Sequence, residues 1–170
     1  VAVGDEKGVT GVLELRDRIR PDAKGIVARP HAQGVKTIVM LTGDNERTAR
    51  AVAAEVGIDE VRAELLPEDK VTAIEELVAN HDMVAMIGDG VNDAPAMARA
   101  HYAIAMGAVG SDAAIETADI ALMTDDLARV PWLIAHSRRT MTIIHQNIGI
   151  SLATKALFVG LTAFGMASMW

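Results

Sequence analysis

Residues 35–45 read VKTIVMLTGDN and residues 83–95 read MVAMIGDGVNDAP. Each is an apolar run that stops at a turn rich in glycine and aspartate, and the first turn leads into an amphipathic stretch. The runs at 36–41 and 83–87 are apolar on both faces, as expected of strands covered by helices on each side. Between them, residues 46–56 and 67–79 carry helical spacing. The alternation predicts a β-α-β-α chain, an α/β fold with a doubly wound parallel sheet. Shorter apolar runs at 103–105 and 120–123 extend that sheet. Upstream, residues 1–3 and 8–15 read as a hairpin around the GDEKG turn. Pro21 suits the first position of a helix, which Pro30 then ends early.

With 170 residues and 51% hydrophobic content, the chain buries a core, either as one domain or as one domain with an appendage. A formal charge of -7 argues against a nucleic-acid surface, so any anion is met locally. The absence of cysteine rules out disulfides and thiolate metal sites and fits a cytosolic main body. The opening VAVGDEKG has neither an initiator Met nor a signal-peptide pattern, so the sequence reads as a fragment.

Composition shifts near residue 138. From about residue 126 a helical pattern runs onward with no proline after Pro131. Residues 148–170 carry a single formal charge, Lys155. About 20 apolar residues span a bilayer, and Arg138 and Arg139 on one flank with Trp170 at the far end are placed as interfacial anchors. The expectation is a stalk and membrane helix at 131–170 after a domain at 1–130. The competing reading is a buried core helix cut short.

Three segments carry chemistry. Thr42-Gly43-Asp44-Asn45 lies between a strand and a helix, where an open parallel sheet binds ligands and a helix N-terminus favours an anion. Taken alone, this junction is equally an ordinary helix cap by Asp44 or Asn45. In the second, Asp89 and Asp93 stand four residues apart in a glycine-containing turn with Asn92, a donor set suited to Mg²⁺; the alternative is a turn plus a cap. In the third, Pro67-Glu68-Asp69-Lys70 places a lysine in a helix's first turn, where a cation fits only if an anion is also bound. Otherwise Lys70 is a solvated residue paired with Glu68 or Asp69. Met97 and Met106 read as core filler. His31, His81 and His101 lack metal-ligand spacing.

The order TGDN, PEDK, GDGVNDAP resembles the phosphorylation domain of P-type ATPases, and GDGVNDAP is the most specific of the three. The likeness extends to Asp17-Arg18-Ile19-Arg20-Pro21, similar to the family's DxxRP segment, and to residues 110–119, similar to a stretch in its heavy-metal members. The resemblance implies a haloacid-dehalogenase-like fold and an ATP-driven ion pump working through an aspartyl phosphate. It further implies that Thr42, Gly43, Asp44 and Lys70 handle the phosphoryl group and that Asp89, Asn92 and Asp93 form the Mg²⁺ site. The family's DKTGT motif is absent, so the segment lacks the phosphorylated aspartate. The expected partners are therefore ATP, Mg²⁺, a missing N-terminal part of the same polypeptide, and a lipid bilayer. The implied setting is a multi-pass plasma-membrane protein with residues 1–140 cytoplasmic, and the fragment alone is expected to be inactive.

Asn147 and Lys155 lie about 80° apart around a helix and can share a face. A lysine inside a membrane span points to function. The spacing resembles the divalent-cation branch of the family, transporting Zn²⁺, Cd²⁺, Co²⁺ or Pb²⁺, whereas copper-type members carry a tyrosine-asparagine pair where Thr154-Lys155 stand. Two other functions compete. A soluble phosphatase of the same fold superfamily requires a nucleophilic aspartate before Thr42, and no such motif occurs. A catalytically dead membrane-anchored module is separated from the pump by restoring the missing half and assaying metal-dependent ATPase.

Overall fold

The computed structural model describes residues 2–5, 8–12, 19–89, 92–107, 116 and 118–165. The chain opens with the expected hairpin, β1 (Ala2–Asp5) against β2 (Gly8–Val12), antiparallel with a register shift between Val3 and Gly4. Pro21 falls in a turn, and α1 (Ala23–Ala32) begins two residues later. Pro30 sits inside its last turn, and the helix runs only two residues past it.

β3 (Val39–Leu41) pairs in parallel with β4 (Glu60–Arg62). The strand is shorter than the apolar run because side chains take the backbone groups ahead of it. His31 Nδ1 donates to the Val35 carbonyl at 2.9 Å, and the Ile38 N–H donates to Asp59 Oδ2 at 2.7 Å. Between the strands, α2 (Glu46–Val56) starts where Asn45 caps it, Oδ1 accepting from the Thr48 N–H at 2.9 Å. It stops at Gly57, whose φ of 87° suits glycine. Ala49, Ala53 and Val56 form its single buried face.

α3 (Pro67–Asn80) starts with proline at its first position, and Asp69 Oδ2 accepts the Leu66 N–H at 2.9 Å. The Arg62 guanidinium donates to Glu60 at 2.9 Å and to Glu76 at 2.7 Å, tying β4 to α3. The hydrogen bonds it donates to Glu60 and then to Glu76 hold its pKa above the ordinary value against the effect of burial.

β5 (Ala85–Gly88), β6 (Tyr102–Met106) and β7 (Ile120–Leu122) form a second parallel sheet in that order, with the short α4 (Ala94–Met97) after β5. β5 starts late because the Val84 N–H donates to His101 Nδ1 at 3.1 Å. A cluster of Ile74, Leu77, Met86, Ala96, Met97, Ala103 and Ala105 fills the space under this sheet, with Val39 and Leu41 packed against it. The core is thus shared by both parallel sheets. No buried polar or charged residue occurs among the described residues.

Two expectations need correction. The parallel strands do not form one continuous sheet: β3 and β5 share no hydrogen bonds, and neither is fully covered, for β3 is half-buried throughout and Ala85 and Ile87 of β5 are exposed. The last helix, α5 (Arg129–Ala163), has 35 residues, close to the length read from sequence, but among the described residues no helix is long and apolar enough to cross a membrane. Gln146, Asn147, Ser151, Thr154 and Lys155 interrupt its apolar stretch. Residues 166–170, including Trp170, lie outside the described set, as do Asp17, Arg18 and most of 110–119.

Candidate active site

The carboxyl ends of β3 and β5 come to the same edge of the molecule, because a residue that follows β4 reaches one that follows β5. Lys70 Nζ lies 2.7 Å from Asp93 Oδ1, and the two side chains are only 20% and 19% exposed. The pair joins the first turn of α3 to the turn before α4. It also decides a question the sequence leaves open. Asp93 occupies the N-cap position of α4 without capping it, and its carboxylate is turned to Lys70. Nor does Lys70 pair with Glu68 or Asp69, since Asp69 is engaged by Leu66.

Thr42 is the first residue past β3. Its N–H donates to the Arg62 carbonyl at 3.0 Å, its carbonyl accepts from the Leu65 N–H at 3.1 Å, and its Oγ1 accepts from the Asp44 N–H at 3.1 Å. The Glu64 N–H closes onto the Asp44 carbonyl at 2.8 Å, with Glu64 at a positive φ of 57°. The turn after β3 is therefore braced by the turn after β4. Gly43 suits this closeness, for a Cβ there would stand 3.4 Å from the Leu65 carbonyl oxygen. Asn45 performs the capping, so Asp44 is not needed for it.

Gly88 ends β5 against the pair. A Cβ added there would meet Met97 Sδ at 3.0 Å, Asp93 Cβ at 3.1 Å and Asp93 Oδ2 at 3.2 Å. Glycine at this position lets the Asp93 carboxylate sit against the strand end. Asp89 follows directly and is exposed, as is Asn92. Gly90 and Val91 between them lie outside the described residues.

Of the residues singled out in sequence, Lys70 and Asp93 are in contact, Thr42 and Asp44 share one turn, and Asp89 borders the same strand end as Asp93. Asn147 and Lys155 lie elsewhere, both exposed on a stretch of α5 that nothing covers. Sequence reading gave no role to Arg62, whose carbonyl holds Thr42; a three-residue strand with one apolar member leaves no periodic signal. An open groove of about 280 Å³ beside it, lined by Arg62, Leu65, Asp69, Thr72, Ala73 and Glu76, includes neither Lys70 nor Asp93.

The match to known proteins agrees with this geometry. Residues 3–101 match the model of the haloacid dehalogenase-like hydrolases, and the chain belongs to that family. Within it, the similar proteins are metal-transporting ATPases, as the motif order implied. The chain is 45% identical over 168 residues to a probable cadmium-transporting ATPase of Staphylococcus aureus, which covers 99% of this chain and 21% of that protein. It is 45% identical over 173 residues to the cadmium, zinc and cobalt-transporting ATPase of Bacillus subtilis, covering 100% of this chain and 25% of that one. Among solved structures, a zinc-transporting PIB-type ATPase in an E2.Pi state superposes with a TM-score of 0.80 at 46% identity, over 91% of this chain and 25% of the other. The chain therefore spans about a fifth to a quarter of the length of the relatives it matches.

Proposed function

We propose that the chain is the phosphoryl- and Mg²⁺-handling segment of an ATP-driven exporter of divalent heavy-metal ions, working through an aspartyl phosphate carried elsewhere in the complete protein. The Lys70–Asp93 pair at 2.7 Å is the observation that carries this reading, because it gathers two of the three motifs at one edge. In this reading Lys70 and Thr42 contact the phosphoryl group, and Gly43 and Asp44 shape the turn that presents Thr42. The cation rests on Asp93 until an anion arrives, then neutralises charge on the transferring group.

Asp89 and Asp93 fit Mg²⁺ as the bound metal. One is exposed at a strand end, the other is fixed by Lys70, and no cluster of three acidic or histidine ligands exists among the described residues. Mg²⁺ takes one or two carboxylates with water and phosphate oxygens, not a closed protein cage. When bound, it supplies charge neutralisation on the phosphoryl oxygens. Asp89 holds the ion in this reading, and Asp93 and Asn92 support it.

The separation of the parallel strands into two sheets favours a segment over a self-sufficient enzyme. Among the described residues β3 pairs with β4 alone and β5 with β6 alone, so a strand bearing the aspartate carried elsewhere could join the two sheets. We further propose that residues 1–130 form the catalytic part and residues 131–170 lead to the transport part. There Asn147 and Lys155 face the path of a Zn²⁺, Cd²⁺, Co²⁺ or Pb²⁺ ion, and α5 is covered by other segments of the complete, membrane-embedded protein. The decisive experiment is Asp89→Ala in the complete protein, with phosphoenzyme measured from labelled ATP. Loss of phosphoenzyme is expected; normal formation at ordinary Mg²⁺ concentration removes Asp89 from the role.

A further inference from the structure

α5 is a lever held at one end. Val130 and Pro131 are buried, Leu133 and Ile134 are half-buried, and from residue 135 to residue 159 every position is exposed. The helix packs on α1, and three polar contacts near its start fix it to the rest of the domain. Gln33 Nε2 donates to the Pro131 carbonyl at 2.9 Å. Arg20 grips the loop before the helix with two bonds, to the Asp125 carbonyl at 2.9 Å and to Asp125 Oδ2 at 2.8 Å. The Arg138 guanidinium lies over Gly34, 3.7 Å from where a Cβ would stand.

Two details set this joint apart from ordinary packing. Gln33 Oε1 is buried without a hydrogen-bond partner, an arrangement that weakens a fold and for which an apolar side chain would be the better filler. The amide serves instead to aim Nε2 at one carbonyl of α5. Asp125, moreover, abuts Gly107 just past the carboxyl end of β6, a Cβ on that glycine lying 3.8 Å from Asp125 Cβ. The loop that Arg20 grips is therefore seated on the strand edge that holds the candidate active site. With about 25 residues projecting beyond Arg138, a tilt of about 10° at the joint moves the free end by roughly 6 Å.

We propose that Gln33 and Arg20 are positioning residues that fix the direction of α5 relative to the catalytic edge. The idea deepens the exporter reading, on which its purpose rests, while its test reads the joint alone. The chain contains no cysteine, so spin labels on Glu55→Cys and Ser151→Cys report the distance from α2 to the projecting helix without a background. Gln33→Met should broaden or shift that distance distribution with no loss of thermal midpoint, since it removes the partnerless oxygen together with the guiding bond. Arg20→Asp should broaden it too, and adding Asp125→Arg should narrow it again. Distributions unchanged in both single variants would overturn the proposal, and so would broadening in Gln33→Met that is matched by a lower midpoint, which marks a plain packing residue. A failed phosphoenzyme assay on Asp89 leaves these outcomes unaffected, so the two ideas fall separately.

Discussion

Removing the partner of Asp93 probes the site most directly. At 2.7 Å and with about four-fifths of each side chain covered, the Lys70–Asp93 contact is a charge-assisted hydrogen bond with little solvent to screen it. Exposed ion pairs contribute about 0.2–1 kcal/mol, whereas hydrogen bonds to charged groups contribute about 1.5–3 kcal/mol. Desolvation of both groups offsets much of the raw attraction, which places the expected coupling near 2 kcal/mol. A double-mutant cycle of Lys70→Met, Asp93→Asn and the combination, followed by urea unfolding of the chain, isolates that value. Lys70→Met alone should cost more than the coupling, because it leaves a largely covered carboxylate without its cation. A coupling below about 0.5 kcal/mol, or one abolished by moderate salt, would refute the reasoning and make the contact an ordinary surface pair. In the complete protein, Lys70→Ala should slow phosphoryl transfer on the order of 10²-fold, and an unchanged rate returns Lys70 to the surface.

Gly88→Ala should destabilise the chain by about 1–3 kcal/mol in thermal unfolding, because the new methyl presses on the fully buried Met97 and on Asp93; an unchanged midpoint would mean both neighbours give way freely. Asn45→Ala should cost about 1 kcal/mol and Asp44→Ala clearly less in the same assay, since only Asn45 caps α2, and equal losses would contradict the cap assignment. In the exporter reading, Lys155→Ala in the complete protein should slow metal release or lower metal-stimulated ATPase while the fold of residues 1–130 stays intact. Unaltered transport of every divalent ion tested ends the ion-path role.

What the sequence conveyed depended on whether the governing interaction was local. The bounds of α2 were readable because the residues that set them, the Asp44-Asn45 turn before it and Gly57 after it, adjoin it. Strand starts were not, since the start of β3 depends on Asp59 as well as on the nearby His31, and the start of β5 on His101; Asp59 and His101 stand 21 and 17 residues from the backbone groups they satisfy. β4 escaped because Glu60 and Arg62 flank one apolar residue, and α4 because four residues, one of them Pro95, show no period. In the site, motif order announced which segments belong together, but only the fold distinguishes Asn45 the cap from Asp44, or shows Lys70 reaching across to Asp93 and not to its neighbours. The terminal helix was expected from length and charge. Polar residues interrupt its apolar stretch, and among the described residues no helix is long and apolar enough for a span.

The borders of β3 and β5 that pair with no described strand also bear on the chain as a material. Amide and carbonyl groups in register along two half-covered strands are a template on which any extended peptide can add a rung, including the same segment of another copy. The chain's net charge of -7 provides only a general repulsion between copies, and that repulsion fades as salt rises. In the exporter reading proposed above, association into sheets across copies competes with completion of the sheet by the strand that carries the aspartate, so that segment would act as an intramolecular chaperone as well as a source of chemistry.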